Sequence, residues 1–384
     1  MKIAYLFGSL NRGGTETLLL DVFRNAEKYK LDAIGFYRKS GTLETDFLET
    51  GIKMYRIPTG KNPIAYIFRL RNKLLANNID IIHAQQPIDA LYAKIASIGT
   101  TIKVVLTFHG YDFNEDKLSL KILKYIITNS RDNIYVSEFQ RKYYIDKYHL
   151  NPDFQHVVYN GISFDKLDDE SILQNASDQT RNKLRTKLKL SQSTILLGSV
   201  GNFVSGRDQL TLCRYLKLLN DHHIDFHFVF VGKKVDSVSQ LYDNCYSFCK
   251  QNKLLDNITF LGSCNNVPEI LHQLDTFLYA TDHDTFGIAV VEALAVGIPV
   301  FVNDWGVMSE ITVNGKYATL YKTKDETDLL QKFMLFLQYK PVYQEKANEA
   351  SRFVRDKFSI EKHIDNLKRV YQQVINHSSL TNHH

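Results

Sequence analysis

The chain has 384 residues, 44% of them hydrophobic and 23% charged, with a formal net charge of +5. This is enough for two domains that each bury a core, in the composition of a soluble globular protein. It excludes a membrane span, because the best candidate, 286–302, is broken by Glu292, Gly297 and Pro299, and it excludes a disulfide scaffold, because Cys213, Cys245, Cys249 and Cys264 form no CxxC pair and fit free thiols in a reducing cytoplasm.

"MKIAYLFGSLNRGG" at the start reads as a strand and a glycine loop, not as a signal peptide. The helical pattern "TETLLLDVFRNAEK" follows. Gly13 and Gly14 can bring backbone N–H groups to a phosphate at that helix N-terminus, or simply make a tight turn. The strand-like runs "LDAIGFY", "IDIIHA", "KVVLTFH", "NIYVS" and "FQHVVYN" then alternate with helical patterns such as "IDALYAKIAS". That alternation predicts a parallel sheet covered on both faces. Two stretches here, "KNPIAYIFRLRNKLLANN" (61–78) and "KLSLKILKYIITNS" (117–130), interleave Lys and Arg with large apolar residues. They read either as helices with solvated basic faces or as a surface for anionic lipid or a phosphate-bearing acceptor. Residues 1–160 hold 22 Lys and Arg against 16 Asp and Glu, whereas the remainder holds 25 against 26. The basic excess therefore belongs to the N-terminal part, and no nucleic-acid-binding signature accompanies it.

The pattern lapses into a polar, charged stretch and then restarts with "TILLGSVGN", "DFHFVFVG", "NITFLG", "DTFLYAT", "PVFVND" and "YATLY". The expected architecture is therefore α/β, two doubly wound Rossmann-like domains facing across a cleft. The N-terminal domain spans 1–165, a linker 166–190 and the C-terminal domain 191–357; a final helical stretch, 358–384, returns to the first domain. Ligands of such sheets bind beyond the carboxyl ends of the strands.

"DHDTFGIAVVEALAVGIPV" (282–300) concentrates the chemistry. A loop follows a strand and feeds a helix that Gly297 and Pro299 end. Unpaired N–H groups near Gly287, Ile288 and Ala289, with the helix dipole, make an anion site. Glu292 lies one turn further in, among apolar residues. A carboxylate there needs a partner, which is either the diol of a bound ribose or an internal cation or amide.

This segment resembles the signature of glycosyltransferase family 4, retaining enzymes of the GT-B type: two acidic residues with seven others between them, here Asp284 and Glu292, with Phe286-Gly287 and Gly297-Ile298-Pro299-Val300. Other stretches agree: "LNRGGTET" (10–17) with the family's glycine loop, "LTFHGYDF" (106–113) with its His-Gly-x-Asp, "VVYNGISF" (157–164) with its Asn-Gly, and "FS" (358–359) with its terminal helix. The resemblance implies that Glu292 holds the nucleotide ribose, that the amides of Phe286, Gly287, Ile288 and Ala289 surround the diphosphate and sugar, and that His109 faces the sugar. Two departures stand out. Asp284 occupies a position where the family usually has Glu. In "SVGNFVSGRDQL" (199–210), Asn202 replaces the usual Arg and Arg207 the usual Lys, so one diphosphate-binding cation is missing unless Lys233 compensates.

What the resemblance implies is a metal-independent, retaining transfer of a sugar from a nucleotide-sugar to a saccharide or lipid-linked acceptor in surface-polysaccharide synthesis. The donor, first of all a UDP-sugar, is a substrate, and neither a cofactor nor a metal is expected. Asp284 would position the sugar, and Arg207, the Gly13–Gly14 loop and the amides after Phe286 would stabilise the leaving diphosphate, with His109 nearby. The expected location is the cytoplasm, at the inner face of the membrane through the basic N-terminal domain. A nucleotide-sugar epimerase and a non-catalytic nucleotide-sugar-binding protein remain as alternatives.

Overall fold

A computed structural model describes residues 1–113, 116–168, 183–264 and 266–380. The chain divides into two units: residues 1–162 with the chain from Phe358 onward, and residues 163–357.

The first unit is built on seven parallel strands, β1 (Lys2–Ser9), β2 (Asp32–Lys39), β3 (Met54–Arg56), β4 (Ile81–Ala84), β5 (Lys103–Phe108), β6 (Asn133–Tyr135) and β7 (Gln155–Val157), in the order β3-β2-β1-β4-β5-β6-β7. Their apolar runs follow from burial on both faces. Along β1, Ile3, Tyr5 and Phe7 enter one core with the helix Gly14–Asn25, while Ala4 and Leu6 enter another with the helices Pro63–Ala76 and Pro87–Ala96. The edge strand β3 is absent from the sequence expectation. Three residues, none of them buried, carry too short a pattern to register.

The helix Ile360–Leu380 belongs to this unit and packs Ile364, Leu367, Val370, Tyr371 and Val374 into the first core. Full burial of such side chains contributes about 1.5–3 kcal/mol each, so the returning helix is integral to the unit. Its entry is fixed by main-chain bonds between Ile162 and both Phe358 (2.8 Å) and Ile360 (3.1 Å), and His363 Nδ1 lies 2.7 Å from the Tyr159 carbonyl.

The second unit repeats the plan with β8 (Ile195–Val200), β9 (Phe226–Val231), β10 (Ile258–Gly262), β11 (Thr276–Tyr279), β12 (Val300–Asn303) and β13 (Thr319–Tyr321), in the order β10-β9-β8-β11-β12-β13. Both sheets therefore reverse strand order at one place, between β1 and β4 and between β8 and β11. Crevices open there at the carboxyl ends of the strands. Of the linker expected at 166–190, residues 169–182 lie outside the described residues. On either side of them the chain is tied into the second unit: Asp168 pairs with Arg355, and the amide of Leu184 donates to Gln273 Oε1 at 2.6 Å. Among the described residues no helix is long and apolar enough to cross a membrane.

Candidate functional site

In the second unit the crevice between β8 and β11 is formed by the loops 201–208 and 280–287. They are bound to each other: the Asp208 amide donates to the Ala280 carbonyl (3.1 Å), and the Asp282 amide and the Thr281 hydroxyl both donate to the Gly206 carbonyl (2.9 and 2.7 Å). Asn303, at the end of β12, is 1% exposed and clamps Thr281 from both sides, accepting from its amide at 2.9 Å and donating to its carbonyl at 2.8 Å. A rigid frame of this kind suits a site in which geometry must not relax.

On that frame Arg207 Nη1 and Asp284 Oδ2 form an ion pair, each side chain 19% exposed. The Tyr279 hydroxyl donates to the same Asp284 oxygen, and the Arg207 guanidinium lies 4.6 Å from the centre of the Tyr279 ring. The Asp284 main chain is held as well, its amide donating to the Thr281 hydroxyl at 3.1 Å and its carbonyl accepting from Trp305 Nε1 at 3.2 Å. Burial raises the Asp284 carboxyl above its usual range, against which Arg207 and then His283 pull it down.

The helix Ile288–Val296 starts beside this pair. Gly287 is its N-cap at φ +87°, and no side chain caps the end. Gly287 is required twice over: a Cβ would be strained at that φ and would sit 2.6 Å from Met308 Cε. The Val290 and Val291 amides bond back to Gly287, so the amides of Ile288 and Ala289 are the ones turned outward. Phe286 is buried at 2% exposure. The helix is not buried all round. Ile288, Ala289, Glu292 and Val296 share a half-buried line at spacings of three and four, and Glu292 lies on it rather than in the core. Asn202 and Lys233 meet at the ends of β8 and β9, where Asn202 Oδ1 accepts from the Lys233 amide at 3.0 Å. The Asn202 carboxamide thus ties two loops together where a cation was the familiar choice, and the Lys233 side chain is exposed.

The first unit holds a cavity of about 190 Å³ at its own crevice, lined by Gly8, Glu16, Gln85, Gln86 and His109 among others, over an apolar floor that includes Phe108, Leu123 and Tyr144. His109 follows β5, with its Nε2 2.8 Å from Gln85 Oε1. Burial, with His363 nearby, pushes it down to about 3, so it is neutral near pH 7. Its loop is anchored by Asp112, 3% exposed, whose carboxylate accepts from Tyr143 (2.6 Å), Lys147 (2.8 Å) and Tyr148 (2.5 Å) on the helix Glu138–Tyr148. Asp112 in "HGYD" therefore supports the loop. Gly13 and Gly14 open the helix Gly14–Asn25, but Glu16 folds back so that its Oε2 lies 2.5 Å from where a Gly13 Cβ would be. A carboxylate therefore stands beside the glycine loop expected to meet a phosphate.

The structure thus assembles Arg207, Asp284, Phe286, Gly287, Ile288 and Ala289 at one crevice and His109 at another, whose lining includes Thr15 and Glu16 rather than Gly13 and Gly14. Sequence reasoning missed Tyr279, Asn303, Glu16, Gln85 and Gln86. The available signal was position: Tyr279, Asn303, Gln85 and Gln86 stand at or just beyond a strand's carboxyl end, and Glu16 in the first turn of the helix Gly14–Asn25.

Residues 180–354 match the family Glycosyl transferases group 1, and residues 12–166 match Glycosyltransferase Family 4. The N-acetyl-alpha-D-glucosaminyl L-malate synthase of Bacillus anthracis is 26% identical over 305 residues, covering 78% of this chain and 76% of its own. The UDP-Gal:alpha-D-GlcNAc-diphosphoundecaprenol alpha-1,3-galactosyltransferase of Escherichia coli is 22% identical over 391 residues, covering 98% and 97%. Among solved structures, Anabaena HepE in complex with UDP and glucose has a TM-score of 0.80 at 18% identity, with 99% of each chain covered. The likeness to HepE concerns the fold.

Proposed function

This chain belongs to the glycosyltransferases, a family 4 unit followed by a group 1 unit in the two-domain GT-B arrangement, and we propose that it moves a sugar from a UDP-sugar to a saccharide or lipid-linked acceptor without a metal and with the anomeric configuration retained. The observation that carries this reading is the Arg207–Asp284 pair set against the uncapped helix N-terminus at Gly287. A diphosphate would take the Arg207 guanidinium and the amides of Ile288 and Ala289, and the sugar hydroxyls would donate to Asp284. The half-buried line carrying Glu292 runs on from those amides, where a ribose diol would be met. In the reaction an acceptor oxygen attacks the anomeric carbon. The bond from that carbon to the phosphate oxygen breaks with its electrons going to the leaving diphosphate, and the acceptor proton passes to a departing phosphate oxygen. Fixed donors aimed at that growing charge supply the largest share of the acceleration. The uncharged polar groups in the lining of the first unit's cavity suit the acceptor, and Gln85, Gln86 and His109 offer it hydrogen bonds.

HepE's complex with UDP and glucose supports the choice of donor, and the diphosphoundecaprenol-linked substrate in the Escherichia coli relative's name supports a lipid-linked acceptor in polysaccharide synthesis. One surface favours peripheral contact with an anionic membrane at its cytoplasmic face. The helices Pro63–Ala76 and Lys117–Asn129 both pack on Pro87–Ala96 and contain no Asp or Glu. They expose Ile64 (64%), Phe68 (62%), Leu118 (66%) and Tyr125 (53%) beside Arg69, Lys73, Lys121 and Lys124. Apolar side chains among cations match a lipid headgroup boundary.

Thermal-shift measurement against UDP-, GDP- and ADP-sugars tests the donor, with stabilisation by UDP-sugars expected and unchanged by EDTA. No shift with any nucleotide, or transfer that stops in EDTA, would refute the corresponding part of the proposal.

A further inference from the structure

We infer that Tyr279 is a positioning residue of the sugar transfer, its hydroxyl keeping the Asp284 carboxylate in place when Arg207 turns from that carboxylate to the donor diphosphate. This rests on the reading of the Arg207–Asp284 crevice given above.

Tyr279 ends β11 and is 1% exposed, so its ring has no freedom to leave. Its carbonyl is fixed by the Tyr321 hydroxyl at 2.7 Å. Its own hydroxyl donates to Asp284 Oδ2, the oxygen that Arg207 Nη1 also holds. One carboxylate oxygen thus has two donors, one neutral and built into the sheet, the other a cation on a loop. A diphosphate is the stronger claimant for the guanidinium, since its charge exceeds that of a carboxylate. When Arg207 turns, a carboxylate held by it alone would be left half-buried and unpaired, and would protonate or rotate. Tyr279 prevents both. The Thr281 hydroxyl and Trp305 fix the Asp284 main chain in the meantime. The same contact answers the departure from the family pattern. Asp is one methylene shorter than Glu, and a tyrosine hydroxyl pins it where it stands. The charged or titratable groups facing Asp284 are Arg207 from the loop after β8, His283 from its own loop and Tyr279 from β11.

Tyr279→Phe keeps the ring beneath Arg207 and removes only the hydroxyl. In the full chain, with a UDP-sugar as donor, kcat/KM should fall roughly tenfold to a hundredfold, the loss of one hydrogen bond to an ionised group. Affinity for UDP alone should fall as well, because its diphosphate draws Arg207 from an Asp284 that has lost its second donor, but by less than kcat/KM, because UDP carries no sugar for Asp284 to position. The acid limb of the pH profile should move to higher pH, since a donor to the charged form has gone. In an Asp284→Asn background the same substitution should add little, and this cycle controls for any general damage to β11. A wild-type kcat/KM for Tyr279→Phe, an unmoved acid limb, or an equal cost in the Asp284→Asn background would each overturn the inference while leaving the donor site standing. A wild-type protein that neither binds UDP nor transfers sugar would sink the underlying reading.

Discussion

At the carboxyl ends of β8 and β11 stand a guanidinium, a carboxylate and an uncapped helix end. At the equivalent point of the first sheet, between β1 and β4, stand two glutamines, a neutral histidine and a glutamate folded onto its own helix end. The strand order is shared, so the fold supplies a crevice in both units and decides nothing about its ligand. Charge separates them. The second crevice is equipped for a ligand that becomes more negative as it reacts, whereas the first brings a carboxylate, Glu16, into its lining and no Lys or Arg.

The sharpest way to break this contrast is Arg207→Ala. Loss of a donor aimed at a leaving anion costs about 10²–10³-fold in kcat. Steady-state transfer rates should show that loss, with acceptor KM unmoved. A variant near wild type would remove the distinction between the crevices. In the first unit Gln86→Ala should raise acceptor KM roughly twofold to tenfold, the worth of a neutral hydrogen bond, and leave UDP affinity alone.

Acidification should separate the units too. Burial keeps His83 neutral and pushes His109 down to about 3 and His363 down to about 4, all in the first unit, against an ordinary 6.5. The unfolded chain therefore takes up more protons as pH falls through 6.5, and the stability these rings contribute above that pH is lost progressively toward 4. Asp89, pushed up to about 7 by burial beside Arg38, acts oppositely and favours the folded unit below 7, and Glu16, also raised by burial, acts in the same sense, two groups against three. In the second unit burial raises Asp208 and Asp284, which stabilises the folded form at low pH and offsets the lowered His227. Hydrogen-exchange protection at pH 7.5 and pH 5 should fall in the first unit more than in the second; the reverse order would show that the buried histidines do not govern acid stability.

What could be read from the sequence follows the same division. The strands announced themselves because a parallel sheet buried on both faces needs unbroken apolar runs. The second crevice was legible because Asp284, Gly287, Gly297 and Pro299 fall within one short stretch, so spacing alone locates a loop, a helix start and a helix stop. The first crevice draws Glu16, Gln85 and His109 from three separate segments, and a glutamine after a strand has no local signature. Tyr279 was invisible for a different reason: in "DTFLYAT" it counts as one more apolar strand residue, and only the folded loop brings Asp284 to its hydroxyl. Glu292 shows the limit of composition. Nine apolar-rich residues suggest burial all round, yet 3.6 residues per turn leaves a line for the carboxylate at the half-exposed edge.

The smallest effect concerns the outer surface of the first unit, whose basic excess the second lacks. Arg69, Lys73, Lys121 and Lys124 are exposed on two helices free of carboxylates, with Ile64, Phe68, Leu118 and Tyr125 between them. A lysine near an anionic leaflet contributes about 1 kcal/mol, close to fivefold in partition. Lys121→Gln and Lys124→Gln should each weaken sedimentation with phosphatidylglycerol vesicles by that factor, and added salt should shrink both the binding and the difference. Phe68→Ser should weaken binding at every salt concentration, because burial of the ring in the headgroup region is not screened. The pair separates insertion from mere attraction: salt-sensitive loss from the lysines with none from Phe68 means the face only attracts anions, and no loss from any of the three means that this surface does not meet the membrane.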